Sequence, residues 1–201
     1  MTTTQKLGVL GGTFDPPHNG HLALARTAHA QLDLDRVLFV LAGHPPHKPD
    51  RPTTSVQHRV AMVEAAIAGT PAFTVSCVDI ERPGPHYTVD MLALLYQVHP
   101  RAEFFFLMGG DSLAQFASWR DPVGIVRQAR LAVLRRPGWR ADVAALEQAI
   151  PQVRERLLWL DTPPLDIASS DLRQRVLEGL PIRALVPPPV ARYIDVHGLY
   201  R

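Results

Sequence analysis

Cysteine is almost absent from this sequence: Cys77 is the only one among 201 residues. A single thiol excludes an internal disulfide and a zinc site built from several thiolates. We interpret Cys77 as a small apolar side chain within a strand. No apolar run approaches the roughly 20 residues that a membrane-spanning helix needs. With 46% hydrophobic residues, the composition predicts a globular domain with a core of its own.

Lysine is scarce as well, since only Lys6 and Lys48 are lysines among 21 basic residues. The formal net charge of +2 is too small to indicate nucleic-acid binding by itself. The first residues, MTTTQKLGVLGG, lack a basic stretch followed by a long apolar segment, so a secretory signal is not indicated. We expect a cytoplasmic protein without nucleic-acid or membrane partners, and the sequence leaves a homo-oligomer open.

Apolar runs typical of buried strands alternate with helical segments along the chain. The predicted strands cover residues 6–10, 36–42, 73–80, 103–109, 131–135 and 156–160. The predicted helices cover residues 18–32, 55–68, 88–99, 111–117, 123–129, 141–150 and 169–178, with a last short helix after three prolines at 187–189. This alternation predicts an α/β fold with one doubly wound, Rossmann-like and mostly parallel sheet covered by helices on both faces. We assign residues 1–201 to a single domain, in which ligands bind at the carboxyl ends of the strands.

The first predicted strand leads into the segment GGTFDPPHNGHL, residues 11–22. Gly11 and Gly12 allow close backbone approach to a ligand, and the amides of the following helix favour anions. The segment is neither a Walker loop nor a G-x-G-x-x-G motif. His18 and His21 lie three residues apart at the helix start, where both can reach a single phosphate. Two surface histidines or a zinc site are the alternatives, although no H-E-x-x-H pattern accompanies them.

A second candidate anion site opens the predicted helix at 169–178. The hydroxyls of Ser169 and Ser170 and the amides of the first turn lie close in sequence to Arg173, and together they can bind an anion. From the residues alone, an ordinary serine cap with a solvated arginine is the competing interpretation.

Segment 11–22 resembles the G-x-F-D-x-x-H-x-G-H element of the nucleotidylyltransferase superfamily. Further blocks, in order along the chain, resemble the bacterial nicotinate-mononucleotide adenylyltransferases: PPHK, ERPGPHYTVDML, FLMGGDSLAQFASW, RRPG, IASSDLRQR and VARYIDVHGLY. The resemblance implies transfer of the adenylyl group of ATP to nicotinate mononucleotide in NAD biosynthesis, which releases pyrophosphate. The attacking phosphate oxygen is already anionic, so catalysis needs alignment and charge neutralisation rather than a nucleophilic side chain. Mg²⁺ is expected to be bound mainly through the ATP phosphates rather than by protein ligands.

The resemblance also implies roles for individual residues. His18 and His21 are the implied catalytic pair, donating hydrogen bonds to the α- and β-phosphates. The implied ATP-binding residues are Gly11, Gly12, Thr13, Phe14, Asp111, Ser169, Ser170 and Arg173. The implied nicotinate mononucleotide-binding residues are His47, Lys48, Tyr87, Thr88, Trp119 and Arg135. Of these, His47, Lys48 and Arg135 are implied to contact the mononucleotide phosphate. The indole of Trp119 is implied to stack on the pyridine ring, and the Tyr87-Thr88 backbone to donate to the nicotinate carboxylate.

The sequence departs from the family pattern at one block and leaves some alternatives open. Ala168 stands where the family's phosphate-binding block has serine, and Ser170 stands where it has threonine.

Thr88 is expected to cap its helix and to direct free amides at an anion, which favours a carboxylate over a carboxamide. For Asp111, a role as the N-cap of its helix is the alternative to ATP binding. Nicotinamide mononucleotide and phosphopantetheine are the competing acceptors. A zinc-dependent hydrolase and a non-catalytic nucleotide-binding module are the alternatives from other functional classes.

Overall fold

The computed structural model describes residues 4–43, 53–135, 142–161 and 166–201. Within these ranges, six strands alternate with nine α-helices and one 3-10 helix at Phe116–Ser118. The strands are β1 (Gln5–Gly12), β2 (Arg36–Leu41), β3 (Phe73–Ser76), β4 (Ala102–Gly109), β5 (Ala129–Leu134) and β6 (Leu157–Leu160). The helices are α1 (Asn19–Gln31), α2 (Val56–Ile67), α3 (Thr88–Val98), α4 (Gly110–Ala114), α5 (Pro122–Gln128), α6 (Val143–Ala149), α7 (Val153–Arg156), α8 (Ser169–Leu177) and α9 (Pro188–His197).

All six strands belong to one sheet, in the order β3-β2-β1-β4-β5-β6. Every neighbouring pair of strands is parallel. The chain runs outward from β1 through β2 to β3, then returns to β4 beside β1 and runs outward on the other side. The strand order therefore reverses between β1 and β4, and in doubly wound sheets ligands bind at the carboxyl ends of the strands beside such a reversal. The predicted fold class is confirmed.

The sheet is apolar on both faces because helices cover both. In β4, Phe104 and Phe106 belong to one buried cluster, whereas Phe105 and Leu107 belong to the cluster on the opposite face. Successive strand side chains point to opposite faces, so a continuous apolar strand is what a sheet covered twice requires.

A third apolar cluster joins three helices beside the sheet. Met62 of α2, Leu172 of α8 and Ile194 of α9 are each at most 1% exposed and pack together. This packing fixes the start of α8 relative to the first loop. None of the helices in the described part of the chain is long and apolar enough to cross a bilayer.

Three details of the predicted elements are wrong. The first strand runs to Gly12 rather than ending at residue 10, so the glycine pair belongs to β1. The third strand ends at Ser76 rather than at residue 80, because the carbonyl of Cys77 accepts hydrogen bonds from the amides of Ile80 and Glu81 and forms a turn. Cys77 therefore lies just beyond the strand and is only partly buried. The four-residue α7 was not predicted, since a helix of that length has too few residues to show an apolar period.

Candidate active site

A cleft of about 570 Å³ opens at the carboxyl ends of the central strands. Its walls come from the loop after β1, the loop before α3, the start of α4, the segment around Trp119, and the start of α8. Thirteen of the sixteen candidate residues line it: Gly11, Gly12, Thr13, Phe14, His18, His21, Tyr87, Thr88, Asp111, Trp119, Ser169, Ser170 and Arg173. Residues from distant parts of the chain thus meet in one cavity large enough for a small-molecule ligand.

The two histidines at the start of α1 form a stacked pair. His18 is the N-cap residue, with extended backbone at φ −143°, and its ring centroid lies 3.7 Å from that of His21. The backbone N–H of His18 donates to Nδ1 of His21 over 3.2 Å. Because Nδ1 of His21 accepts this bond, the proton of the neutral His21 ring resides on Nε2. That N–H is available as a donor in the cleft.

Burial keeps both imidazoles neutral. It lowers the pKa of His18 to about 4, and it lowers the pKa of His21 well below the ordinary histidine value, with the His18 charge acting in the same direction. His18 is 6% exposed, and its Nδ1 has no hydrogen-bond partner among the described residues. A buried polar atom without a partner is costly, so a ligand atom that pairs with it would gain affinity.

The loop between β1 and α1 holds this pair in place. Phe14 adopts a positive φ of 50°, which is unusual for a residue with a Cβ, and its ring is 2% exposed. The Phe14 ring meets the His21 ring edge-on, with centroids 5.0 Å apart. The histidine orientation is therefore coupled to the path of the loop.

Arg59 of α2 connects the loops after β1 and β2. Its guanidinium, 1% exposed, donates to the carbonyls of Thr13, Ala42, Gly43 and Thr54 over 2.7–3.0 Å. Burial lowers the Arg59 pKa, and the negative charge of Asp15 opposes that shift. An arginine with five donors in a fixed geometry can satisfy several carbonyls at once, so this residue fixes both loops relative to α2.

The start of α8 lies against the first loop. Ser169 Oγ donates to the carbonyl of Pro16 over 2.9 Å, and Arg173 Nη1 donates to the carbonyl of Asp15 over 2.7 Å. The competing interpretation of an ordinary serine cap is wrong, because the N-cap residue is Ala168, whose side chain makes no capping hydrogen bond. The start of α8 therefore has no capping hydroxyl, and Ala168, Ser169 and Ser170 line the cleft, where free amides would favour an anion.

Aromatic rings form the opposite wall. Trp119 packs edge-on against Phe116, with centroids 5.5 Å apart, and against Phe106 at 6.0 Å. Tyr87, not Thr88, is the N-cap of α3, and its side chain makes no capping hydrogen bond. The expectation that Thr88 caps the helix is wrong, because Thr88 is already the first helical residue. The N-terminus of α3 nevertheless borders the cleft beside the indole.

Acidic residues line the cleft at two further places. Asp111 is the second residue of α4, whose N-cap is Gly109, so the alternative N-cap role for this carboxylate is wrong. Asp79 is 3% exposed and forms an ion pair with Arg82 over 2.7 Å. His86 Nδ1 lies 3.6 Å from the second oxygen of Asp79, so an ionic cluster supports the loop before α3.

Three candidate residues are not placed in the cleft. Arg135 follows β5, but its guanidinium lies 4.9 Å from the ring centroid of Trp159, and the residue does not line the cavity. His47 and Lys48 lie outside the described residues. In the described ranges, no group of three or more histidine, cysteine, aspartate or glutamate residues could hold a metal ion.

Sequence reasoning missed several residues that build the site. Arg59, Asp79 and His86 support its loops, and Arg120 lines the cleft with its guanidinium 6.0 Å from the Tyr87 ring centroid. Arg59 carried a usable signal, because a charged residue at a core-facing helix position requires buried partners. The ion pair of Asp79 with Arg82 cannot be inferred from the apolar run at 73–80, because that pattern predicts one continuous strand.

The chain is similar to a known family over most of its length. A cytidylyltransferase-like family model matches residues 9–175. A "probable nicotinate-nucleotide adenylyltransferase" of Thermomicrobium roseum is 48% identical over 98% of this chain and 92% of its own length. A relative of the same name from Bacillus pumilus is 39% identical over 98% of each chain.

Solved structures give the same fold. The nicotinic acid mononucleotide adenylyltransferase of Plasmodium falciparum, in a complex with NaAD, superimposes with a TM-score of 0.78. The alignment covers 98% of this chain and 97% of that protein, at 20% identity. A structure from Vibrio parahaemolyticus, described as a "putative nicotinate-nucleotide adenylyltransferase", superimposes with a TM-score of 0.70, at 19% identity over 98% of this chain and 96% of that chain.

Proposed function

The chain belongs to the nicotinate-nucleotide adenylyltransferase family, and from this premise we propose that it joins ATP to nicotinate mononucleotide. In this reaction a phosphate oxygen of the mononucleotide attacks the α-phosphorus of ATP. The bond between the α-phosphorus and its bridging oxygen to the β-phosphate breaks, and pyrophosphate leaves with that oxygen. The products are nicotinate adenine dinucleotide and pyrophosphate.

The observation that carries the proposal is the meeting of two anion sites in one cleft. The first is the end of β1 at Gly11 and Gly12 with the stacked pair of His18 and His21. The second is the start of α8, where Arg173 is held against the first loop. We assign the histidines to the α- and β-phosphates, and Ser169, Ser170 and Arg173 to the β- and γ-phosphates. Donors fixed before the reaction stabilise growing charge without reorganising.

The aromatic wall is assigned to nicotinate mononucleotide. Trp119 offers an indole face to the electron-poor pyridine ring, and the Tyr87-Thr88 backbone offers amides to the carboxylate at the start of α3. An anion gains free energy at a helix N-terminus, whereas a neutral carboxamide gains less. For the mononucleotide phosphate, His47 and Lys48 remain the predicted partners, whereas Arg135 packs on Trp159 outside the cleft.

Mg²⁺ is assigned to the bound nucleotide. Hard divalent cations prefer oxygen ligands and often keep several waters, binding through substrate phosphates and one or two carboxylates. Asp111 supplies a carboxylate in the cleft near the start of α4. The cation would reduce the negative charge of the triphosphate, and the residues described here align the two reactants.

Two further properties are proposed from the sequence. We place the reaction in the cytoplasm and expect neither a nucleic acid nor a membrane as a partner. The sequence leaves a homo-oligomer open, and sedimentation of the purified protein would measure the oligomeric state directly.

The acceptor preference tests the assignment of the aromatic wall. Purified protein is incubated with ATP, Mg²⁺ and either nicotinate or nicotinamide mononucleotide, and pyrophosphate release is measured. We expect kcat/KM for nicotinate mononucleotide to be at least about tenfold higher than for nicotinamide mononucleotide, because the carboxylate gains roughly 1.4 kcal/mol from the helix amides.

The two mononucleotides are matched controls for each other, since they differ only in the group beside Tyr87 and Thr88. Equal efficiency with both would refute the carboxylate argument. No pyrophosphate release with nicotinate mononucleotide would refute the proposed reaction and favour a non-catalytic binding module. Stoichiometric, tightly bound zinc would favour a hydrolase instead.

A further inference from the structure

The segment that follows α9 returns to the loop between β1 and α1. The proposed chemistry gives this C-terminal segment no role. Gly198 has a left-handed φ of 58°, and the amide of Leu199 donates to the carbonyl of Ile194 over 3.1 Å. This is the hydrogen bond of a Schellman C-terminus. It turns the chain, so that the half-buried Tyr200 lies against the loop between β1 and α1 instead of extending into solvent.

Tyr200 makes a specific polar contact there. Its hydroxyl donates to Oδ1 of Asp15 over 2.7 Å, across 185 residues of sequence. Asp15 is 3% exposed, and its other carboxylate oxygen accepts the amide of Thr54 over 3.2 Å. Burial and the adjacent carboxylate raise the pKa of the Tyr200 phenol, so the hydroxyl keeps its proton and remains a donor.

Asp15 in turn contacts one anion site directly and is the chain neighbour of a residue that packs against the other. Its backbone carbonyl accepts the hydrogen bond from Arg173 of α8. The preceding residue, Phe14, carries the ring that packs against His21. A movement of Asp15 would therefore displace Arg173 and change the surroundings of the histidine pair.

We propose that Tyr200 is a positioning residue for ATP, which acts by holding Asp15 and through it the Arg173 guanidinium. This inference rests on the proposed function for its kinetic consequence. The phenol does not line the cleft, so it acts on the reaction through Asp15. In the described part of the chain, the hydrogen bonds of Asp15 join it to Thr54, Arg173 and Tyr200, so the site for the mononucleotide is expected to be unaffected by a change at Tyr200.

The test is Tyr200→Phe, which removes one oxygen and keeps the ring. Without the hydroxyl, Asp15 Oδ1 is left in a buried site without its donor, and the loop shifts to regain water. We expect KM for ATP to rise about fivefold and kcat to fall about fivefold, the size expected for losing one hydrogen bond to a charged group. KM for nicotinate mononucleotide is expected to stay within about twofold of the wild-type value.

Tyr96→Phe is the matched control. Tyr96 is also half-buried, and its hydroxyl donates to the carbonyl of Gln128 over 2.8 Å, away from the cleft. We expect this variant to lose a comparable hydrogen bond and to leave all three kinetic constants unchanged. A general loss of stability would affect both variants alike, whereas a positioning role affects only the change at Tyr200.

A second variant tests the route through Asp15. If Tyr200 acts through this carboxylate, Tyr200→Phe has little further effect on KM for ATP in the Asp15→Ala background, which removes the hydrogen-bond acceptor. Binding of a non-hydrolysable ATP analogue, measured by calorimetry, is expected to weaken about fivefold in Tyr200→Phe and not in Tyr96→Phe. This binding experiment tests the role of Tyr200 in ATP binding even if nicotinate mononucleotide is not the acceptor. Unchanged analogue affinity, or an equal rise in both KM values, would overturn the proposal.

Discussion

At the residue scale, His18 and His21 illustrate how burial changes what a side chain can do. An exposed histidine would be partly protonated near neutral pH and would bind phosphate as a cation. Here desolvation favours the neutral ring, so the pair supplies oriented N–H donors rather than charge. Formal positive charge in the described part of the cleft comes from arginines, including Arg173 and Arg120.

The depressed pKa of His18 predicts a pH dependence of stability. The folded pKa is about 4 and the unfolded value is about 6.5, so the unfolded chain binds more protons between these values. The contribution of neutral His18 to the free energy of unfolding is therefore fully present above about pH 7, and it is lost as the pH is lowered through this window. Between about pH 7 and pH 5, we expect the free energy of unfolding to fall by ~2 kcal/mol more in the wild type than in His18→Gln.

Urea denaturation at the two pH values measures this difference, and an NMR titration of the His18 ring measures the pKa itself. Identical pH dependence in both proteins, together with a ring that titrates near 6.5, would show that His18 is not desolvated in the folded state.

Residue identities in the site could be predicted from the sequence, but their pairings could not. Gly11, His18, Ser169 and Arg173 belong to local motifs whose spacing carries a chemical meaning. The bond between Tyr200 and Asp15 joins positions with no local pattern in common, and only the packing of α9 against α2 brings them together. Long-range polar pairs of this kind depend on tertiary packing, which hydrophobic periodicity does not specify.

At the element scale, the loops after β1 and β2 are fixed by a helix that contributes no predicted ligand. Arg59 of α2 is surrounded by four carbonyl groups. Irregular backbone at a strand end leaves carbonyls without sheet partners, and each must be satisfied when buried. A single guanidinium meets this need for both loops and leaves the amides of the first loop available to a ligand.

Replacement of Arg59 by methionine is expected to destabilise the protein by about 3 kcal/mol, because several buried carbonyls lose their donor at once. The loops after β1 and β2 are also expected to lose their fixed position relative to each other. We therefore expect kcat to fall about tenfold or more under conditions where the variant is folded. Urea denaturation and steady-state kinetics measure the two effects.

Arg156→Met is the matched control for this prediction. Arg156 donates to the carbonyls of Val126 and Arg127 and lies outside the cleft lining. We expect a stability loss of about 1 kcal/mol and unchanged kinetics. If Arg59→Met retained wild-type stability, or if both variants lost activity equally, the link between Arg59 and the two loops would be wrong.

Element boundaries show where local patterns stop being informative. The apolar run at 73–80 predicts one strand, yet the Cys77 turn and the ionic contacts of Asp79 end it at Ser76. At α3 the sequence predicts Thr88 as the N-cap, but Thr88 is already the first helical residue and Tyr87 is the N-cap. In both cases tertiary contacts, rather than residue propensity, set the boundary.

At the scale of the whole molecule, a parallel sheet brings distant segments to one edge. The loop after β1 and the start of α4 approach each other because β1 and β4 are neighbours, and α8 is added through its apolar packing with α2 and α9. The sheet is buried on both faces, and Arg59 and Arg173 tie the loops at its edge together by hydrogen bonds, so the donors in the cleft are held before any ligand binds. Preorganisation of this kind suits a reaction between two anions.

The central claim is that this chain forms a dinucleotide from ATP and nicotinate mononucleotide, and the identity of the product tests it most directly. Pyrophosphate alone does not suffice, because hydrolysis of ATP to AMP also releases it. Purified protein is therefore incubated with both substrates and Mg²⁺, and the products are separated and identified by mass spectrometry. We predict one nicotinate adenine dinucleotide for each pyrophosphate formed. Pyrophosphate accompanied by AMP, with no dinucleotide, would contradict the account.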